Sequence, residues 1–134
     1  MAIRIVRLGT PRARGEGLRI GTVRRPPRGV PKTEYASRDY YDVWMPELAP
    51  SEDLVKTALH FRDARDERDG RQWKTFVRRY RSEMKLPPAA RLLDLLAALS
   101  RNASFSVGCY CEDEDRCHRS ILKELLQEHG ARLE

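Results

Sequence analysis

The stretch FSVGCYCEDEDRCHRSILKELL, residues 105–126, decides the fold of this chain. Its first five residues, Phe105–Cys109, place aromatic or β-branched residues at alternate positions and predict a strand. The apolar residues of its second half share one helix face: Ile121, Leu122, Leu125 and Leu126. We expect this helix to begin at residues 112–115, because acids are favoured in the first turn. A strand, a loop and a helix in this order form the unit of parallel α/β sheets.

Five further predicted elements surround this unit: strands over residues 2–8 and 18–25, and helices beginning at residue 51, spanning 73–84 and spanning 89–99. The second strand must stop before Pro26, which cannot donate a ladder hydrogen bond. Residues 33–50 show no clean period and are expected to be mostly irregular. In the 89–99 helix we expect a broad apolar face: Leu92, Leu93, Leu95, Leu96 and Leu99. The chain is therefore predicted to be an α/β protein with a small parallel or mixed sheet flanked by helices.

Length and composition agree with one domain over residues 1–134. The chain has 134 residues, of which 40% are apolar and 34% charged, enough apolar content for one core. No apolar run approaches the roughly 20 residues of a membrane span. The N-terminus lacks the apolar core of a signal peptide, and three cysteines, an odd number, suit a reducing compartment. We expect a cytoplasmic protein with no membrane partner.

Positive charge is concentrated at the N-terminus. Residues 1–38 hold ten Lys or Arg against two acids, and the rest of the chain holds sixteen against eighteen. This distribution favours an anionic partner, and nucleic acid is one alternative. Four nearby aromatic residues either stack on bases or anchor the core and loops: Tyr35, Tyr40, Tyr41 and Trp44.

Three thiols and an imidazole fall within ten residues: Cys109, Cys111, Cys117 and His118. One interpretation is that Cys109 and Cys117 only fill the core, because free cysteine is often buried. A second is a zinc site. Its ligand types are suitable, but the spacing is unusual, and two adjacent residues on a helix would point about 100° apart.

The third interpretation is an anion or thiolate site. Cys117, His118 and Arg119 would lie in the first turns of the last helix, where unpaired amides favour negative charge and lower a thiol pKa. The acids at residues 112–115 compete with a bound anion there. Arg24 and Arg28, at the end of another strand, restore positive potential if the two strands are neighbours.

Four ordered blocks carry a family resemblance: Arg24-x-x-Pro27-Arg28-Gly29-Val30-x-Lys32, Trp44-x-x-Glu47-Leu-Ala-Pro-Ser51, Trp73-x-x-Phe76-x-x-x-Tyr80-Arg81-x-Glu83 and Cys117-His118-Arg119. Over nearly its whole length the chain resembles the domain of unknown function 488 family, of the YeaO-like type. The resemblance implies a compact α/β fold and no particular activity. Val23 and Pro26 depart from the Asp and Trp more usual in the family, which puts in doubt an acid–base role at that strand end.

These observations lead to a first hypothesis of a domain that binds a small ligand carrying phosphate or carboxylate. The ligand contacts are predicted to be Arg24, Arg28, Gly29 and Arg119. Cys117 and His118 are the candidate catalytic residues, as thiolate and proton carrier, and Cys111 is a possible second thiol. No metal or cofactor is assigned. The alternatives are a nucleic-acid-binding module and a thiol-dependent enzyme, although Cys-x-Cys is not the Cys-x-x-Cys of disulfide oxidoreductases.

Overall fold

The computed structural model describes the backbone of residues 1–63, 70–111 and 117–134. The strands of this described part are β1 (Ile3–Arg7), β2 (Leu18–Gly21), β3 (Val43–Trp44) and β4 (Phe105–Cys109). Its α-helices are α1 (Glu52–Asp63), α2 (Arg71–Met84), α3 (Ala89–Leu99) and α4 (His118–Glu128). Short 3-10 helices span Lys32–Glu34 and Pro46–Leu48.

The strands form one parallel sheet in the order β1-β4-β2-β3, which confirms the predicted α/β class. β4 is central: Phe105 pairs with Ile3 on one side and with Leu18 on the other. All five residues of β4 are buried. Because the strands are parallel, the carboxyl ends of β1, β2 and β4 meet at one edge of the sheet.

One face of the sheet packs against the helices. Phe105 and Val107 of β4 contribute to this core together with Ile20 of β2. The helices contribute these buried residues: Leu54, Phe76, Tyr80, Met84, Ala89, Leu93, Leu96, Ile121, Leu122, Leu125 and Leu126. Side chains alternate along a strand, so Ser106 lies on the opposite face.

That opposite face holds a buried ion pair that the sequence pattern did not predict. Arg19 of β2 is fully buried and donates from Nε to Glu16 at 2.7 Å and from Nη2 to the second oxygen at 2.9 Å. Its Nη1 donates to the carbonyls of Thr10 and Asp39. Ser106 of β4 donates to Glu16 at 2.8 Å. The pair thus ties the loop before β2 to the central strand.

The predicted end of the second strand was wrong. β2 ends at Gly21 rather than near residue 25: Thr22 still bonds to β4, but the carbonyl of Val23 bonds to a side chain and not to a strand. The amide and hydroxyl of Thr22 both donate to Gly108, and the carbonyl of Val23 accepts from the Trp44 indole at 2.7 Å. Residues 33–50 are mostly irregular, as expected, although β3 pairs with Ile20 and Gly21.

The apolar face predicted for α3 and the start predicted for the last helix both need correction. Leu95 and Leu99 are exposed, because α3 packs against α2 and α4 on one side only. The last helix begins at His118, not at residues 112–115, and Cys117 is its N-cap residue with extended backbone. The predicted acidic first turn at residues 112–115 lies outside the described residues. No helix in the described ranges has the length and apolar character needed to cross a bilayer.

Removing one partner of the buried pair should strongly destabilise the fold. In Arg19→Met the Glu16 carboxylate stays buried without its cation, so we expect the free energy of unfolding in urea to fall by about 3–5 kcal/mol. Arg25→Met is the control, because Arg25 pairs with Glu52 on the exposed surface and should cost less than about 1 kcal/mol. Equal losses for both variants would contradict a structural role of the pair.

The same pair should make stability depend on pH. Burial acts to raise the pKa of Glu16, but hydrogen bonds from Arg19, Ser106 and the Ala13 amide outweigh it and lower the pKa from 4.5 to about 2. As pH falls the unfolded chain takes up the proton first, so this stabilisation is present above pH 4.5 and is lost toward pH 2. The free energy of unfolding, measured in urea at several pH values between about pH 6 and about pH 3, should change less steeply with pH in Glu16→Gln than in wild type. Glu34→Gln, which changes an exposed residue, is the control and should keep the wild-type dependence of stability on pH. The same dependence in Glu16→Gln would contradict the prediction.

Candidate functional site

The site is built where the carboxyl end of β4 meets the N-terminus of α4. Cys109 is the last residue of β4, and Cys117 is the N-cap residue of α4 with φ −127° and ψ 151°. Because the Cys117 backbone is extended, its side chain and that of His118 do not diverge as they would within a helix. The Cys117 Sγ and the His118 Nδ1 lie 3.7 Å apart. The geometric reason given against a shared metal was therefore wrong.

The three thiols form one cluster of free cysteines. The sulfurs of Cys109 and Cys117 are 2.7 Å apart, and both residues are 1% exposed. Cys111 is half-buried and its thiol interacts with both. Burial beside Val23 and Tyr41 fits a core role for Cys109 and Cys117. The close approach of two thiols and an imidazole, with a third thiol packed beside them, is, however, more than apolar packing requires.

His118 has a defined orientation. Its Nε2 lies 2.7 Å from the carbonyl oxygen of Thr22, which can only accept, so Nε2 carries a proton. The Nδ1 atom then faces the Cys117 thiol. The Tyr80 ring meets the imidazole edge-on at 5.6 Å, and only 8% of His118 is exposed.

The cluster does not favour a free thiolate. The hydrogen bond with Cys109 acts to lower the pKa of Cys117, but the Cys111 thiol and burial outweigh it and raise the pKa from 9.0 to about 11. Burial, followed by the neighbouring thiols, also raises the pKa of Cys109. The expected lowering of the Cys117 pKa at the helix N-terminus was wrong, because like groups in a buried cluster resist ionising together.

Arg119 is the most unusual cation of the site. Arg119 is only 4% exposed, and its Nη2 donates to the Cys111 carbonyl at 2.6 Å. Its Nε is buried without a hydrogen-bond acceptor. Within the described ranges no carboxylate forms an ion pair with it. Among the residues that the structure describes, the guanidinium is therefore a buried charge without a compensating anion.

Residues 22–25, which follow β2, lie beside the segment that joins β4 to α4. Besides the Thr22–His118 contact, the Tyr110 hydroxyl donates to the Arg25 carbonyl at 2.9 Å. This follows from the sheet order, which makes β2 and β4 neighbours.

The predicted ligand residues are not all in the same situation. The Arg24 Nε donates to the carbonyl oxygen of Pro50 at 2.9 Å, and its Nη2 donates to that of Ala49 at 3.2 Å. These two hydrogen bonds anchor the chain before α1. Arg28 and Gly29 are exposed in a turn, with φ +70° at Gly29. Arg28 forms no hydrogen bond or ion pair with the residues that the structure describes. A ligand role for Arg24, Arg28 and Gly29 stays a prediction, as does a catalytic role for Cys117 and His118.

Sequence reasoning missed Thr22 and Tyr80 as parts of the site. Thr22 contributes a backbone carbonyl, which no side-chain pattern reports. Tyr80 was assigned to the apolar stripe of α2, and it does lie in the core. Its ring reaches His118 only because α2 packs against α4.

Comparison with known proteins identifies the family. No curated protein and no solved structure is significantly similar to this chain. A family model, DUF488-N3a, described as the active DUF488-N3 subclade, matches residues 3–130. The match contains every site residue named above and agrees with the resemblance seen in the sequence. The chain therefore belongs to the domain of unknown function 488 (DUF488) family.

Proposed function

We propose that this protein binds a small ligand carrying phosphate or carboxylate at the carboxyl edge of its sheet, with Arg119 as the principal contact. The observation that carries the proposal is the buried guanidinium of Arg119, whose Nε has no acceptor in the described part of the chain. An unpaired buried charge is costly, and an anion from outside the chain supplies the missing partner. Phosphate and carboxylate match the planar donor fork of arginine.

The surroundings of Arg119 favour the same class of ligand. It lies in the first turn of α4, where helix amides and the helix dipole attract negative charge. The N-cap residue is Cys117, which lacks the side-chain oxygen that usually satisfies such amides. Cys111, whose carbonyl holds one end of the guanidinium, is only half-buried, so the site lies close to solvent.

Arg28 and Gly29 are proposed as the second ligand contact. They follow Arg25, whose carbonyl is bound by Tyr110 of the loop after β4. Three residues of extended chain span at most about 11 Å, so Arg28 is tethered near this loop. Its exposed guanidinium has no partner among the described residues. Arg24 is proposed to position the same turn through its bonds to Ala49 and Pro50.

The contacts that the basic N-terminal third makes within the chain favour a small ligand over nucleic acid. Arg19 is buried with Glu16, and Arg12 bonds to Asp42 with both carboxylate oxygens engaged. Among the aromatic residues, Tyr41 is 4% exposed and Tyr35 packs edge-on against it. These charges and rings are engaged within the chain, which leaves fewer of them for phosphates and bases.

The proposal predicts that anion binding depends on Arg119. Inorganic phosphate and acetate, titrated separately into nitrogen-labelled wild-type protein, should produce saturable shifts of the amide resonances of residues 118–120. In Arg119→Gln a charge-assisted pair is lost, so we expect affinity about 10-fold weaker or more. Arg119→Lys keeps the charge but not the fork and should lie between the two.

The control variant is Arg101→Gln, an exposed arginine at the end of α3, which should bind as wild type does. Dispersed spectra of each variant verify that it is folded. Wild-type affinity in folded Arg119→Gln, or no saturable shift in wild type with either anion, would overturn the proposal.

A further inference from the structure

We propose that Cys109, Cys111, Cys117 and His118 together bind one tetrahedral Zn²⁺ ion. The site goes beyond the anion-binding function proposed above and does not depend on it. Its starting point is a buried cluster in which the ligand atoms of Cys109, Cys117 and His118 all lie within 4.8 Å of one another. Three thiols and one imidazole are the donor set of many structural zinc sites.

The distance between Cys117 and His118 already fits a tetrahedral centre, whereas that between Cys109 and Cys117 must lengthen. In a tetrahedral site with Zn–S bonds of about 2.3 Å and Zn–N bonds of about 2.05 Å, a sulfur and a nitrogen ligand lie about 3.6 Å apart. The Cys117 Sγ and His118 Nδ1 are separated by 3.7 Å. Two sulfurs on such an edge are about 3.8 Å apart. The sulfurs of Cys109 and Cys117, at 2.7 Å, must therefore separate by about 1 Å, which rotation of one cysteine side chain provides.

The imidazole is already prepared to bind a metal. Histidine ligands usually donate their second ring N–H to a carbonyl or carboxylate, which sets the tautomer and aims the other nitrogen at the ion. His118 does this through Nε2 and the Thr22 carbonyl at 2.7 Å. Thr22 is fully buried, and its own amide is bound to Gly108 of β4. The orientation of His118 is thus held by the centre of the sheet.

The fold supplies three of the ligands from rigid elements and buries them. Cys109 ends the central strand, whereas Cys117 and His118 begin α4. The extended backbone of Cys117 turns two adjacent residues toward one point, which explains how an unusual Cys-His spacing can serve one ion. Cys111, two residues after the strand and packed against the cluster of Cys109 and Cys117, takes the fourth position when its side chain turns toward the other three ligands.

Charge also favours an ion at this position. Zn²⁺ with three thiolates and a neutral imidazole carries one net negative charge. The Arg119 guanidinium, bonded to the carbonyl of the ligand Cys111, lies beside the cluster and compensates that charge. A loaded site should therefore weaken, but not abolish, the binding of a second anion to Arg119.

Metal content tests the proposal directly. Untagged protein with all its cysteines, purified without chelator, should contain about one zinc per chain by elemental mass spectrometry. Stripped protein reloaded with Co²⁺ should show the absorption of a tetrahedral ion with a thiolate charge-transfer band. In Cys111→Ser that band should lose about one third of its intensity, because one of three thiolates is removed.

His118→Gln and Cys117→Ser should each reduce zinc to below about 0.1 per chain. His129→Gln is the matched control, since His129 lies beyond α4, bonds to Asp94 and should retain a full zinc complement. Wild-type protein with less than about 0.1 zinc and no Co²⁺ spectrum would overturn the proposal. So would a metal-free protein whose intact mass shows a disulfide between Cys109 and Cys117.

The two proposals fail separately. Zinc content does not involve the anion, and the phosphate and acetate titrations can be run on loaded and on stripped protein. Zinc retention without any anion binding would reject only the anion site. Anion binding to a protein that never holds metal would reject only the zinc site. Because the Co²⁺ spectrum uses wild-type protein, the test stands even if a variant fails to fold.

Discussion

The central position of β4 is the constraint on which the rest of the structure depends. Its backbone is bound by β1 on one side and by β2 on the other, and every one of its residues is buried. Gly108 allows this packing, because a Cβ atom there would lie 2.4 Å from the carbonyl oxygen of Val6. Pairing with β2 places Thr22 next to the end of β4. Without that pairing, His118 would have no carbonyl to orient it and the cysteine cluster would have no fixed geometry.

The two faces of this sheet are stabilised by different physics. The helical face buries aliphatic and aromatic side chains, and its stability comes from removing that area from water. The other face buries Arg19 and Glu16, whose desolvation is offset only because nearly every donor and acceptor finds a partner. An apolar pair could stabilise as well, but the ionic pair requires one particular arrangement of the loop around it. It therefore helps to define the chain path that leads into β2.

The site shows how one backbone conformation changes the chemistry of neighbouring residues. A helical Cys117 would send its thiol away from His118, whereas the extended N-cap brings both to one point. The same turn places Arg119 in the first turn of α4 with its guanidinium on the Cys111 carbonyl. Soft donors and a buried cation thus lie side by side, which suits a metal ion and an anionic ligand better than a lone reactive thiol.

The sequence by itself determined most of the secondary structure and the location of the cysteine and histidine cluster. The bounds of β4 and α3, the apolar stripe of α2 and the parallel α/β class follow from local periodicity, which side chains report directly. The Cys-x-Cys and Cys-His-Arg motifs indicated where the functional groups are concentrated.

Only the tertiary structure decided how those groups meet. The early end of β2, the pairing of β3, the buried Arg19 and the start of α4 at His118 all depend on partners distant in the chain. Whether two cysteines and a histidine converge is set by the dihedral angles of one residue and by a carbonyl 96 positions away. Local periodicity reports which way a side chain faces relative to its own element. It does not report which other elements that side chain reaches, because strand order and backbone hydrogen bonding arise from the packing of the whole chain.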